Sequence, residues 1–317
     1  MATMTETPEA VSTYSTSHDY HAEANVLSGD LQRPIEAKID PQAPLSLNDR
    51  RGGHFNRQIE DFSIEGLISF ARGETRVSGA RSTKNKNWVT LSTSVTEGLN
   101  VFEVITADRV VSQVSTDHAY YEGNVPQGHV PRVTFLGTQF TNLRVAGVPI
   151  TPILNLGICG GLPAGGRSYL EDPDFLGRVK AQTSAIANAA GLPKELKDQY
   201  DEKLAHLDDL IRASQSGDRS SSEPITCSVV QSINVQSIDG QGTKLNIPGV
   251  QVFGNLLVIE DFGTVALGEL MVRETIDKLY NRPDPYFELT GIHLKLGCLG
   301  DGTTKVATAA ANGHTKP

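Results

Sequence analysis

Residues 62–70 read FSIEGLISF, and residues 88–95 read WVTLSTSV. In the first stretch Phe62, Ile64, Ile68 and Phe70 fall on one side of an extended chain and Ser63, Glu65 and Ser69 largely on the other, the period-two pattern of a half-buried strand. Val89, Leu91, Thr93 and Val95 repeat the alternation in the second. Downstream, Phe102, Val104, Val110, Val114, Val133, Phe135, Phe140, Leu143 and Val145 supply further short apolar segments between Gly, Asn and Pro turns. The expected fold class is mainly β: an antiparallel β-sandwich or jelly-roll-like arrangement.

The pattern changes between residues 173 and 214, where helix formers recur at threes and fours and predict an inserted αα-hairpin. Its first helix has Asp172 as N-cap, a stripe of Phe175, Leu176, Val179, Ile186 and Ala190, and Gly191 as the stop. Pro193 opens the second, whose apolar face is Leu196, Tyr200, Leu204, Leu207 and Ile211. A polar return loop follows at 214–224, and strands resume at Ile225, the last clear one carrying Ile292, Leu294, Leu296 and Cys298. Upstream, residues 1 to about 50 combine Thr, Ser, Glu and Pro with little apolar periodicity, which predicts a flexible arm able to lie along a partner. Residues 51–317 then form one β-rich domain with the helical insertion.

A chain of 317 residues can bury a sizeable core, and its 30 Gly and 16 Pro imply many turns. The formal charge of -9 argues against nucleic acid as a partner, because phosphate backbones are held by clustered Lys and Arg. Cys159, Cys227 and Cys298 lack CxxC or CxxH spacing, leaving buried thiols or a single disulfide as readings and no structural metal. No cofactor fingerprint is present. The first 25 residues lack a basic segment followed by an apolar one, and no apolar run approaches the roughly 20 residues that span a bilayer. The expectation is a cytoplasmic chain without membrane insertion; the alternative is an extracellular or surface location reached by a non-classical route.

Chemistry-bearing residues are few. Asp108, Asp117, His118 and His129 are the candidate catalytic set, since carboxylate and imidazole are the common acid and base. Asp117 and His118 are adjacent, so in a strand they face opposite ways and cannot form a dyad with each other. Tyr120, Tyr121, Tyr280 and Tyr286 are candidate ligand-binding residues, flat rings on which sugars or peptides pack. The glycine-rich run from Gly160 to Arg167 lacks the spacing of a phosphate-binding loop and reads as a connection into the hairpin.

The segment Gly98-Leu-Asn-Val-Phe-Glu-Val-Ile-Thr-Ala-Asp108, followed by Gln139-Phe-Thr-Asn-Leu-Arg-Val-Ala-Gly-Val-Pro149, resembles the choice-of-anchor P family of bacterial surface-associated β domains. That resemblance implies a β-sandwich-like module and no reaction, and it supplies no catalytic residues to carry over. Two functional readings follow. One is a non-enzymatic structural or binding protein, self-assembling or surface-associated, whose partner is a second copy, another protein or a glycan. The other is a hydrolase acting on a carbohydrate or ester through a site built from loops.

Overall fold

The computed structural model describes residues 17–33, 35–120, 130–164, 167–216, 223–235, 247–277, 282–297 and 301–316. In chain order these form β1 (Ser17–Arg33), β2 (Ala37–Ile39), β3 (Leu45–Asp49), β4 (Gly53–Ile64), β5 (Ile68–Arg81), β6 (Trp88–Val101), β7 (Ile105–His118), β8 (Arg132–Thr134), β9 (Gln139–Thr141), β10 (Arg144–Val145) and β11 (Val148–Leu154). The helices α1 (Pro173–Ala187) and α2 (Lys194–Ser216) come next. They are followed by β12 (Ile225–Ser228), β13 (Val230–Val235), β14 (Val250–Phe253), β15 (Leu256–Ile259), β16 (Gly263–Asp277), β17 (Arg282–Leu296) and β18 (Asp301–Lys316).

Two antiparallel sheets make a β-sandwich with a helical insertion. The first runs β14-β15-β16-β17-β18-β1-β2, with β12 beside β16 and β3 beside β1. The second runs β13-β11-β10-β7-β6-β5-β4, with β8 and β9 beside β7. Its centre, β5 to β7, lies under β1, β17 and β18.

Each sheet is creased along a line across its strands. Gly268 lies opposite Gly291, Gly291 opposite Ala307, and Ala307 opposite Val26, and none of these pairs joins the ladder although the register on either side is unchanged. In the second sheet Asp61, Ala71, Gly98 and Asp108 form the equivalent line. Left-handed backbone occurs on alternate strands of each line, at Gly268 (φ 59°) and Ala307 (φ 52°), and at Asp61 (φ 54°) and Gly98 (φ 66°). One such residue reverses which face the following side chains occupy. Accordingly β16 buries Val265 and Leu267 before the crease but Leu270 and Val272 after it, and β6 buries Ser94 and Thr96 before Gly98 but Leu99 and Val101 after. The core divides at the same line. Ile105, Leu257, Ile292 and Val306 belong to one half, whereas Val114, Leu270, Phe287 and Ala311 belong to the other.

Where β6 faces β1 the buried row is polar. Thr90, Ser92, Ser94 and Thr96 are all inaccessible. The hydroxyls of Ser92, Ser94 and Thr96 donate to the carbonyls of Glu23, Asn25 and Val26 at 2.5, 2.8 and 3.3 Å. These bonds cross between the sheets and satisfy buried hydroxyls that would otherwise cost about 1–3 kcal/mol each. Val89 and Leu91, whose alternation announces the strand, are only half-buried on the opposite face.

The predicted hairpin over 173–214 is present as α1 and α2. Asp172 caps α1 by accepting from the backbone N–H groups of Asp174 and Phe175, and α1 ends at Ala187, with Gly191 at φ 83° in the connecting turn. Pro193 directly precedes α2, its carbonyl accepting from the Lys197 N–H. Phe175, Leu176 and Val179 of α1, with Leu207 and Leu210 of α2, enter the core half that contains Phe287. Lys180 of α1 is paired with Asp208 of α2.

Two expectations are corrected. The flexible arm assigned to residues 1–50 does not hold for the described part: β1 is an interior strand of the first sheet, between β18 and the pair β2 and β3, while residues 1–16 lie outside the described residues. Residues 62–70 are the tip of the β4–β5 hairpin and not one strand; Phe62 and Phe70, like Ile64 and Ile68, share a face because they are cross-strand partners. Of the two readings of the cysteines, the buried thiol holds for Cys159 and Cys227. Desolvation raises Cys159 well above the usual thiol range and Cys227 to about 12, which makes both poor nucleophiles. Cys298 lies outside the described residues.

Candidate functional site

The sequence-predicted catalytic residues are not brought together. Asp108 sits exposed on the crease, where the Asn142 side-chain amide donates to it at 2.6 Å. Asp117 is nine residues further along β7, about 30 Å at strand rise, and accepts from Asn87 Nδ2 at 2.8 Å. His118, on the opposite face as the parity argument requires, is buried with its ring 4.7 Å from that of His18. His18 stacks on Trp88 and accepts or donates a hydrogen bond with the Thr315 hydroxyl at 2.9 Å. This cluster closes one end of the sandwich as packing: Tyr120 leans on Trp88 and the Arg81 guanidinium lies 4.5 Å over the Tyr120 ring. His129, Tyr121 and Tyr280 lie outside the described residues.

Tyr286 leads to a more open place. On the outer face of the first sheet a groove of about 350 Å³ is lined by Glu23, Asn25, Pro41, Pro44, Leu45, Ser46, Tyr286, Glu288, Thr308 and Ala310. Glu23 of β1 and Glu288 of β17 are both register partners of Ala310 on the intervening β18, so the two carboxylates flank a floor of small side chains. The opposite wall is the proline-bounded segment joining β2 to β3. Glu23 is held at 3.2 Å by His21 Nε2, and the Tyr286 hydroxyl donates to it at 3.4 Å. Its carboxyl is held below the usual range, chiefly by the His21 hydrogen bond, with burial opposing and Tyr286 and Arg273 assisting. Glu288 accepts from Lys305 Nζ at 2.7 Å. Tyr286 is itself buried beneath the Arg273 guanidinium, 4.0 Å from its ring, so it orients Glu23 and offers no stacking surface. Glu23 and Glu288 were not singled out in the sequence, whereas the 41–46 wall falls within the arm expected to lie along a partner. The available signal was the spacing of His21, Glu23 and Asn25 at period two opposite Tyr20, Ala22 and Ala24.

A second polar cluster lies beneath α2 on the same sheet. Glu269 of β16 and His293 of β17 share a 2.7 Å hydrogen bond, and Tyr200 and Lys203 of α2 line a small cavity with Glu269, Cys227, Asn255 and Gln182. At about 20 Å³ it has room for a water molecule and not for a substrate. Burial alone would raise the Glu269 carboxyl, but His293, Lys203 and Lys295 outweigh it and the net displacement is downward. A carboxyl depressed in the folded state stabilises the fold above its ordinary titration range, and that contribution is lost as pH falls through the folded value. Thermal melts between about pH 6 and about pH 3 should therefore show a shallower acid loss for Glu269→Gln than for the parent. An unchanged acid limb would mean that the pair does not couple to folding.

Among the described residues no group of three or more His, Cys, Asp or Glu side chains is placed to hold a metal ion, and no helix is long and apolar enough to cross a membrane. Residues 18–273 match the family described as domain of unknown function DUF8256. The chain belongs to this family. The DUF8256 match begins in β1 and stops in β16, so β17 and β18, the two strands that join β16 to β1, fall beyond it, and with them Tyr286 and Glu288. No curated protein and no solved structure matches the chain.

Proposed function

We propose that this chain is a non-enzymatic binding protein whose ligand site is the Glu23–Glu288 groove and whose ligand is a glycan. The carrying observation is a pair of carboxylates fixed by charged and phenolic partners on either side of Ala310, facing a proline-bounded wall. Oriented carboxylates accept hydrogen bonds from sugar hydroxyls, and the small floor lets a ring approach the sheet. The likeness of residues 98–108 and 139–149 to surface-associated β domains supports the same reading.

A hydrolase acting on the same ligand is the second reading, because two carboxylates across one strand stand about 10 Å apart, near the separation used by inverting glycosidases. Such an enzyme needs one carboxyl raised so that it can donate a proton. Glu23 is instead displaced downward and Glu288 is ion-paired with Lys305, which favours binding over hydrolysis.

Screening the full chain on a glycan array, followed by calorimetry on the best hits, tests the proposal. Glu23→Gln and Glu288→Gln should each weaken binding by about tenfold or more, the loss of a hydrogen bond to a charged acceptor, with thermal midpoints retained. Parent-like affinity in both variants, or no glycan above background, would remove the groove as the site. Release of reducing sugar that both variants abolish would establish the hydrolase instead.

A further inference from the structure

β4 is twelve residues long, pairs only with β5, and is the longest strand with one neighbour among the described residues. Edge strands of this length are usually shortened, bulged or covered, because every second residue turns its N–H and C=O outward. From His54 to Gln58 all five residues are exposed, on both faces of the strand. Opposite them, Thr75 and Val77 of β5 are fully buried, so this half of β4 overhangs the rim of the sandwich. Phe55 is left 48% exposed, one of the few large apolar side chains so placed. No proline interrupts residues 53–59, and the crease begins only at Asp61.

We infer that this edge pairs antiparallel with β4 of a second copy, about a two-fold axis through Asn56. The symmetry restricts the register: a two-fold normal to the sheet keeps each face on its own side, so facing residues must have the same parity and the axis must pass through a residue. The straight segment Gly53–Ile59 has Asn56 at its centre, and only that axis engages all seven residues. Phe55 then faces Arg57 of the second copy, and Arg57 faces its Phe55, two symmetric cation and ring pairs on one face. On the other face His54 meets Gln58, and Asn56 meets itself. Shifting the axis to Arg57 would set two guanidinium groups against each other; shifting it to Gln58 would set Phe55 against Asp61 on the crease.

Two substitutions of opposite charge at one exposed position separate this register from others. Sedimentation of the full chain over a range of concentrations should give a reversible dimer. Phe55→Arg places cation against cation and should weaken the dimer by about tenfold or more, whereas Phe55→Glu faces Arg57 and should hold it at parental strength or tighter. Thermal midpoints of the two variants should match the parent. A parent that stays monomeric to several hundred micromolar overturns the inference, as does a dimer on which the two substitutions act alike or which Phe55→Arg leaves intact. Glycan affinity of the variants is read separately, since Phe55 is not among the residues that line the groove.

Discussion

A chain beginning at Asn48 is expected to be unfolded, with no cooperative thermal transition and with a strong tendency to aggregate. The deletion removes β1 and β2 and most of β3. β1 is hydrogen-bonded to β18 along almost its whole length, from Ser17 opposite Lys316 to Arg33 opposite Asp301. It also buries Tyr20, Ala22, Ala24, Val26, Leu27 and Leu31 between the sheets. The larger of these side chains contribute about 1.5–3 kcal/mol each by burial. Ser92, Ser94 and Thr96 would lose the carbonyls they donate to, leaving three hydroxyls inside the sandwich without acceptors. Together these losses exceed the roughly 5–15 kcal/mol by which a domain is normally stable. A chain beginning at Ser17 keeps every pairing described and serves as the control. Circular dichroism melts of the two decide the matter: a cooperative transition near the parental midpoint in the Asn48 chain would show that β1 is dispensable.

Gly268→Val is expected to cost about 3–5 kcal/mol, enough to lower the thermal midpoint by many degrees. Gly268 holds φ 59°, a region that a β-branched residue enters only with strain of about 1–3 kcal/mol. A Cβ there would also lie 2.8 Å from a Val229 methyl and 2.9 Å from a Val230 methyl, both on fully buried residues. Overpacking of this kind adds about 1–3 kcal/mol. Relief by moving the backbone out of the left-handed region would restore simple alternation in β16, and Leu270 and Val272 would turn away from the core. Denaturant titration gives the magnitude. A change below about 1 kcal/mol, against the 3–5 kcal/mol expected from strain and overpacking, would show that the crease is not needed at this strand.

What was legible in the sequence was the class of structure, and the creases explain why its detail was not. Strands of fourteen to seventeen residues cross a line where facing inverts, so the apolar residues of β7 run Ile105, Ala107, then Val110 and Val114, which reads as several short segments. Asp108, singled out for its carboxylate, marks that line. The helical hairpin lacks any such inversion, and its capping residue and most of its apolar stripes were readable directly, although Ala190 lies exposed beyond α1 and the buried Leu210 was not foreseen. β1 was hidden for another reason. Its buried row consists of His18, Tyr20, Ala22 and Ala24, small or polar-tipped residues that fit because the facing row on β6 is also small and hydroxylated. The candidate site depends on that same strand together with β17, which are separated by nearly 250 residues in sequence. Nothing local links Glu23 to Glu288.

The pairing of β1 with β18 also sets a timetable for a newly made chain. The first described strand leaves the ribosome some 268 residues ahead of the one that flanks it, roughly 15–55 s earlier at ordinary elongation rates. Throughout that interval Tyr20 to Leu31 has no neighbour on its β18 side, and the first sheet stays open at that seam. Folding of the first sheet therefore waits on β18, a long-range pairing of the kind that slows folding and prolongs exposure to aggregation.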